Sequence, residues 1–339
     1  MASWACVAWH SGGAVVRGDE PLFSQSKLVT SEATDAIDHG LSFLAGRQLD
    51  DGSFGTSGGG RNVAVCALSG MAFLAAGSTP GRGPHGDRID QCIDFLVDHT
   101  SEAGLIAVGE GAMRGPMYGQ GFSALFLCEC YGMAEDETLR DRLAAAITLI
   151  VHAQNEEGGW RYLPEPRDAD ISVTVCQVMA LRAARNAGIA VPKDTIDRSI
   201  EYVKQCQNAD GGFRYMRAGS PPVSGFARTA AGLVALYNAG VYEGPEITRG
   251  LEYLAARTPS KAGAAVDGYY FYGHYYAAQA MWHAGGDAWL QWYPAIRDEL
   301  IARQRTDGSW MDPVGAEYGT AMALIVLQTP NNYLPILQR

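Results

Sequence analysis

The sequence predicts an all-α protein with the architecture of an (α/α)6 double-ring toroid, in which six helical hairpins form two concentric layers. Three observations predict it: a turn motif that recurs along the chain, two helical runs for each copy of the motif, and a strongly apolar second run. No segment shows the alternating pattern of a β-strand ladder. At 339 residues and 47% hydrophobic composition, the chain is long enough to bury a large core.

The turn motif consists of a Gln, three residues, a Gly, one residue and an aromatic residue. Four copies are complete: Gln48 to Phe54, Gln154 to Trp160, Gln207 to Phe213, and Gln304 to Trp310. They are separated by one or two multiples of about 50 residues, a period typical of repeat architectures. Two degenerate copies, at Gly104-Leu105 and Gly268-Tyr269, complete a set of six.

Each repeat contains two helical runs of different character. The first runs mix charged and apolar residues at helical spacing, which predicts outer helices with one buried face: 33–48, 88–100, 139–154, 194–207, 245–257 and 288–304. The second runs contain few charges, which predicts inner helices buried on all sides: 62–76, 118–131, 170–186, 225–239, 273–284 and 317–328.

A row of stacked hairpins must either cap its two ends or close into a ring. The inner runs are too apolar to leave one face in water, so the sequence favours closure. In a closed ring every inner helix begins at the same mouth. We therefore expect the residues that open the inner helices to converge on one cavity: Asn62, Tyr118, Asp168, Asp170, Arg228, His274 and Tyr318.

Composition narrows the domain organisation and the partners. Residues 1–28 are predicted to be a poorly ordered leader or tail, and residues 29–339 a single toroid domain. The net charge of −11 argues against nucleic acid as a partner. Seven cysteines, six of them in helical runs, indicate reduced thiols. No apolar run could span a bilayer, so we expect a cytoplasmic protein, with peripheral membrane contact, export and oligomeric state left open.

The repeated turn resembles the repeat of squalene–hopene and oxidosqualene cyclases and, more loosely, that of protein prenyltransferase β subunits. The resemblance extends from about residue 30 to residue 330. Prenyltransferase β subunits bind zinc through an Asp-x-Cys pair and a later His. His274 lies where that His could fall, but the preceding inner run opens Gly225-Phe-Ala-Arg-Thr, without Asp or Cys. Because one His does not make a zinc site, we expect no metal.

Asp168-Ala-Asp170-Ile171 resembles the Asp-x-Asp-Asp motif of class II terpene cyclases, whose middle Asp protonates an alkene or epoxide. The resemblance implies that Asp170 is the proton donor and that Asp168 assists it, while Ile171 departs from the motif at its fourth place. An acid that protonates a hydrocarbon must be neutral at rest, and two nearby carboxyl groups favour this. We expect His274 or Arg228 to hydrogen-bond Asp168. The alternative role for either Asp is to cap the helix.

Aromatic faces stabilise carbocations, and the run Tyr269 to Tyr276 supplies several at one helix entry. The predicted substrate-binding residues are His274, Arg228, Tyr118, Tyr270, Tyr272, Tyr275, Tyr318 and Trp282. Six arginines at the expected mouth could meet an anionic head group: Arg61, Arg114, Arg161, Arg167, Arg217 and Arg228. The aromatic residues of the turns, Phe54, Trp160, Phe213 and Trp310, are assigned to structure.

The sequence therefore predicts a class II terpene cyclase-like enzyme that cyclises a polyprenyl (isoprenoid) substrate after protonating it. The expected partner is a hydrophobic isoprenoid and the expected cofactor is none, with Mg²⁺ an option if the substrate carries a diphosphate. The alternatives are a non-catalytic α/α-ring module that binds an isoprenoid, lipid or peptide, a protein prenyltransferase β-subunit-like protein, and an α/α-ring carbohydrate-active enzyme. Substrate length and product are left open.

Overall fold

The computed structural model describes residues 28–58, 60–109, 115–133, 137–259 and 269–338, so residues 1–27 of the predicted leader lie outside the described residues. Twelve α-helices lie within these ranges. They are α1 (Ser31–Arg47), α2 (Val63–Ala75), α3 (Gly86–Asp98), α4 (Met117–Tyr131), α5 (Glu137–His152), α6 (Ile171–Asn186), α7 (Lys193–Gln205), α8 (Phe226–Asn238), α9 (Pro245–Ala255), α10 (Tyr270–Ala284), α11 (Gly286–Arg303) and α12 (Ala316–Gln328).

The predicted all-α toroid is confirmed. Every predicted run overlaps one helix to within a few residues, and the described residues form only isolated β-bridges. Odd-numbered helices form the outer layer, with one face buried, as in α7, where Ile196, Ser199 and Val203 point inward at helical spacing. Even-numbered helices form the inner layer and are buried on nearly all sides.

The inner layer is a closed ring. Each inner helix packs against the next along the chain, from α2 through α4, α6, α8 and α10 to α12, and α12 packs back against α2. The N-termini of all six inner helices lie at one end of the ring. Long connections enter this end from the outer helices, and shorter ones return at the far end. The first turns of the inner helices therefore surround a common space.

The Gln and Gly of the repeated turn connect neighbouring repeats. Gln154 Nε2 donates to Gly158 O (2.9 Å) and to Thr195 O (2.8 Å), which belongs to the next outer helix. Gly158 has φ +96°, and a Cβ there would lie 2.2 Å from Arg198 O. Only glycine fits, because a side chain would collide with the backbone of the next repeat. Trp160 is fully buried and its Nε1 donates to Ile150 O at the end of α5.

The same contacts close the ring between the last and first repeats. Gln304 Nε2 donates to Gly308 O (3.0 Å) and to Ala36 O (2.8 Å) in α1. Arg47, at the end of α1, forms a 2.8 Å ion pair with Glu317 in the first turn of α12. The turn motif thus predicts both the repeat boundaries and the contacts that make the ring complete.

The degenerate repeat after α3 has no Gln at the motif position, and a Gln from the following helix forms the equivalent hydrogen bonds. Gln120 Nε2, from α4, donates to Gly104 O (2.9 Å) and to Ala146 O (3.3 Å) in the next outer helix. Its Oε1 accepts from Ile106 N (2.9 Å). The side-chain hydrogen bonds between neighbouring repeats are therefore preserved although the sequence motif is lost. The other degenerate copy begins at Gly268, outside the described residues.

The last described residues form two 3₁₀ turns at the far side of the ring, Thr329–Asn331 and Pro335–Leu337. Leu337 O accepts from Trp282 Nε1 (3.1 Å), and Ile336 N donates to Glu129 Oε2 (3.1 Å). Leu334, Ile336 and Leu337 are buried. The C-terminal segment therefore covers the ends of the inner helices opposite the mouth.

The cysteines and the lengths of the helices bear on two further predictions, reduced thiols and the lack of a run that could span a bilayer. Six of the seven cysteines lie there, all of them buried free thiols, and Cys6 lies outside. Among the helices of the described part, none is both long enough and apolar enough to cross a membrane.

Candidate active site

A cavity of about 720 Å³ lies at the mouth of the ring. All six inner helices contribute residues from their N-terminal ends or N-cap, and three connecting loops complete the wall. The residues that line it are Asn62, Ala64, Val65, Tyr118, Phe122, Arg161, Tyr162, Ser172, Tyr215, Ala227, Arg228, Tyr269, Tyr272, Val314 and Tyr318. The volume is within the range of small-molecule sites, and the wall is mainly aromatic and aliphatic with few polar groups.

Asp170 is the N-cap of α6 and has no exposed surface. Its Oδ1 accepts from Ser172 N (2.8 Å) and Val173 N (2.9 Å), so one carboxyl oxygen is fully used in capping the helix. Its Oδ2 points away from the helix and accepts from the Tyr215 hydroxyl (3.1 Å). The capping role and the acid role predicted for Asp170 are therefore compatible, because they use different oxygens.

Burial raises the pKa of Asp170 from an ordinary value of 3.8 to about 6. The hydrogen bond from Val173 N, the charge of Arg161, and the hydrogen bonds from Tyr215 and Ser172 N oppose this rise. The cost of removing a carboxylate from water is thus larger than the help it receives from its neighbours. The pKa of Asp170 therefore lies nearer to neutral pH than that of an ordinary aspartate, as suits a general acid.

Arg161 pairs with both carboxyl groups of the predicted motif. Its Nη1 donates to Asp168 Oδ2 (2.6 Å), and its Nε lies 3.2 Å from Asp170 Oδ2. The side chain of Asp168 is 55% exposed, unlike that of Asp170. The expectation that His274 or Arg228 would hydrogen-bond Asp168 was wrong, since Arg161 holds this position.

Two tyrosines lie between Asp170 and the cavity. Tyr215 and Tyr162 each follow the aromatic residue of a turn by two positions, so they are equivalent in consecutive repeats. Tyr215 O accepts from Ile171 N (3.0 Å), which holds the tyrosine over the start of α6. The two phenolic hydroxyl groups are hydrogen-bonded to each other, and both side chains line the cavity. Burial raises the pKa of Tyr215, so its hydroxyl stays neutral.

The sequence of this chain matches the model of a known protein family. The family model for the prenyltransferase alpha-alpha toroid domain matches residues 63–268. The chain belongs to this family. A drimenyl diphosphate synthase of Streptomyces showdoensis is 24% identical to this chain over 185 residues, which are 53% of this chain and 32% of that protein. The chain therefore spans about a third of the length of the curated relative that it matches.

Solved structures share the toroid fold at low identity. The type II terpene cyclase MstE from Scytonema has a TM-score of 0.60 and 17% identity, with 89% of this chain and 99% of that chain covered. The GH76A α-1,6-mannanase from Salegentibacter sp. HEL1_6 has a TM-score of 0.66 and 8% identity, with the same coverage. At these identities the likeness shows the fold, because one fold supports several chemistries.

Of the substrate-binding residues predicted for this toroid, four line the cavity: Tyr118, Tyr272, Tyr318 and Arg228. Tyr272 also donates to Ser172 O (2.9 Å), which ties α10 to α6 beside Asp170. The guanidinium of Arg228 forms no hydrogen bond or ion pair with any other residue in the described part of the chain. It is a half-buried cation in a mainly apolar wall.

The other four predicted substrate-binding residues lie outside the cavity lining. Tyr270 donates to Glu299 Oε1 (3.0 Å) in the outer layer, and Trp282 contacts the C-terminal segment at the far end of the ring. Tyr275 is buried in the inner layer beside Phe122. Their roles in binding stay predictions, and the structure gives each a packing role.

His274, the fourth of these, is buried among the rings of Phe226, Tyr270 and Trp292. Neither of its ring nitrogens has a hydrogen-bond partner in the described part of the chain. Burial lowers the pKa of His274 to about 3, so the imidazole is neutral. Among the described residues, no group of three or more His, Cys, Asp or Glu side chains is arranged to hold a metal ion.

The structure also places Ile171 and the other predicted arginines. Ile171, at the fourth place of the acidic motif, is fully buried. Of the predicted arginines, Arg61, Arg167 and Arg217 pair with Asp51, Glu165 and Glu157, and Arg114 lies outside the described residues. Arg161, Tyr162 and Tyr215 were not predicted to act together. The signal for them is the sequence aromatic-Arg-Tyr, which recurs at Trp160 and at Phe213.

Proposed function

We propose that this protein is a class II terpene cyclase-like enzyme that protonates a polyprenyl substrate and guides its cyclisation. The observation that carries the proposal is Asp170, a fully buried carboxyl group whose free oxygen faces the hydroxyl that borders the cavity. Burial raises the pKa of this group to about 6. A carboxylic acid in this state can give a proton to an alkene and is then left as a carboxylate beside the Arg161 guanidinium.

The cavity wall suits the cation that such a proton transfer creates. Tyr118, Tyr272 and Tyr318 present aromatic rings to the cavity, and the face of an aromatic ring attracts a positive charge. Arg161 is itself a cation, but Asp168 offsets its charge at 2.6 Å. The match to a drimenyl diphosphate synthase and the fold shared with MstE, whose structures include a complex with geranylgeranyl dihydroxybenzoate, support an isoprenoid substrate.

Arg228 suggests where an anionic head group would bind. It lines the cavity without an ion-pair partner among the described residues, and a guanidinium recognises phosphate through paired N–H donors. We therefore propose that a substrate with a diphosphate places it at Arg228. Arg228→Gln should raise KM for a diphosphate substrate by about tenfold and leave KM for squalene unchanged, because an ion pair is lost only in the first case.

The decisive experiment uses solvent deuterium. Purified protein is incubated in D2O with farnesyl diphosphate, geranylgeranyl diphosphate or squalene, with and without Mg²⁺, and the products are analysed by mass spectrometry. Protonation-initiated cyclisation predicts a cyclic product that carries one deuterium from solvent. Release of diphosphate without deuterium incorporation would indicate ionisation chemistry instead. Substrate binding without any product would favour the non-catalytic binding module.

The fold shared with an α-1,6-mannanase raises carbohydrate hydrolysis as a second candidate. Glycoside hydrolysis generally needs two carboxyl groups that flank the scissile bond. The described residues that line the cavity include no Asp or Glu side chain. Asp170 lies behind the wall, and Asp168 is paired with Arg161. The geometry therefore favours the cyclase.

A further inference from the structure

Asp170 is separated from the cavity that its proton must reach. The side chain has no exposed surface and does not belong to the cavity lining, whereas Tyr215 and Tyr162 do. Its Oδ1 is occupied by two backbone N–H donors, so a proton on Asp170 must sit on Oδ2. The neighbours of Oδ2 are the Tyr215 hydroxyl and Arg161 Nε. Arginine stays protonated, so only Tyr215 can accept and pass on a proton.

The Tyr215 hydroxyl is in turn hydrogen-bonded to the Tyr162 hydroxyl. The orientation of this chain depends on the charge of Asp170. When Asp170 is ionised, Tyr215 donates to Oδ2 and accepts from Tyr162. When Asp170 is protonated, Oδ2–H donates to Tyr215, Tyr215 donates to Tyr162, and the hydroxyl proton of Tyr162 becomes free to point into the cavity.

We propose that Tyr215 and Tyr162 relay the proton of Asp170 to the substrate, an inference that rests on the proposed cyclase function. In one concerted step the Tyr162 proton forms a C–H bond with the alkene, whose π bond breaks to leave a carbocation. The Tyr215 proton moves to Tyr162, and the Asp170 proton moves to Tyr215. Asp170 is left as a carboxylate. No tyrosinate forms, which agrees with the raised pKa of Tyr215.

The backbone holds this relay in place through equivalent contacts in two repeats. Tyr215 O accepts from Ile171 N (3.0 Å) at the start of α6, and Tyr162 O accepts from Met117 N (3.1 Å) at the start of α4. Each tyrosine thus sits over the N-terminus of an inner helix. The guanidinium of Arg161 lies 4.8 Å from the centre of the Tyr162 ring and 5.6 Å from that of Tyr215, and so packs against both. A relay needs this fixed geometry to move three protons together.

The relay is tested with Tyr215→Phe and Tyr162→Phe, which remove one hydroxyl each and keep the rings. Either change should lower kcat by about a hundredfold or more, as loss of a general acid does, and leave KM unchanged. The matched control is Tyr293→Phe. It removes a buried hydroxyl that donates to Leu327 O (2.7 Å) in the packing between α11 and α12, and kcat should stay at the wild-type value.

A proton inventory gives a readout that a purely structural role would not change. In mixtures of H2O and D2O, the wild-type rate should fall along a curve, because several protons move in the rate-limiting protonation. A straight line would overturn the relay. So would wild-type turnover by either phenylalanine variant, since Asp170 would then reach the substrate directly, and the proposed cyclase function would still stand. If the wild-type protein formed no cyclic product from any substrate, the function would fail and the relay with it.

Discussion

Asp170→Asn tests the central acid through protein stability, so its first readout needs no substrate. The variant keeps the shape of the side chain and should keep the cap, because Asn62 caps α2 in the same way. Asn62 Oδ1 accepts from Ala64 N (2.9 Å) and Val65 N (3.2 Å), as Asp170 Oδ1 does from the equivalent amides at α6. The substitution therefore removes the ionisable group and leaves the start of the helix intact.

The expected change in stability follows from the pKa of Asp170. A rise from 3.8 to about 6 means that the neutral form is favoured in the folded protein by about 3 kcal/mol, at about 1.36 kcal/mol per unit. The stability contributed by the neutral carboxyl is fully present below pH 3.8 and is lost as the pH rises through about 6. The Asn side chain does not titrate. The free energy of unfolding of the variant relative to wild type should thus rise by about 3 kcal/mol in total between about pH 3 and about pH 7.

The assay is urea unfolding followed by circular dichroism, from about pH 3 to about pH 7, for both proteins. A difference that does not change with pH would refute the reasoning, because Asp170 would then have an ordinary pKa. In the activity assay the variant should lose at least about a hundredfold of turnover. Wild-type turnover should itself fall above about pH 6, as the acid ionises. An Asp170→Asn protein with wild-type turnover would contradict the proposed acid.

Three further substitutions test two contacts between repeats and one buried carboxyl group. Gln304→Ala should lower the free energy of unfolding by about 1–3 kcal/mol, because the carbonyl of Ala36 loses its side-chain donor. Hydrogen exchange in α1 and α11 should become faster, and unchanged exchange there would count against the closure contact. Gly158→Ala should destabilise the fold by more than about 1 kcal/mol, since its Cβ would meet Arg198 O, and a thermal midpoint equal to wild type would contradict this. Burial raises the pKa of Glu129 to about 8, so the wild-type protein should lose stability as the pH rises from 4.5 to about 8 and Glu129 ionises. Glu129→Gln should remove this loss, and parallel pH profiles of unfolding in the two proteins would disprove it.

The sequence predicts the toroid well because its determinants are local and repeated. Gln154, Gly158 and Trp160 each contact residues at fixed positions in the same repeat or in the next one. The same logic places Asp170 at an inner-helix start. It could not show that Gln120 takes over the lost motif position, because that side chain comes from the following helix.

The candidate site was predicted less completely, for two physical reasons. The helical phase of α10 decides which of its aromatic residues face the cavity. It turns Tyr272 toward the cavity, whereas Tyr270 and His274 contact each other and residues of α11. Sequence alone does not fix that phase when every position from Tyr269 to Tyr276 except Gly273 carries a ring. The side-chain partners of Asp170, which are Arg161 and Tyr215, come from loops, and the hydrogen bond between Tyr162 and Tyr215 joins two repeats.

The closed ring also has a consequence for how such a chain can be rearranged. Because Gln304 and Glu317 join the last repeat to the first, each repeat has a neighbour on both sides, and no repeat is structurally the first. The described chain begins and ends at the end of the ring opposite the cavity. A circular permutation opened in another connection at that end, such as the one between α6 and α7, would keep every mouth loop continuous. The order of the repeats in the gene is thus separable from the architecture of the site.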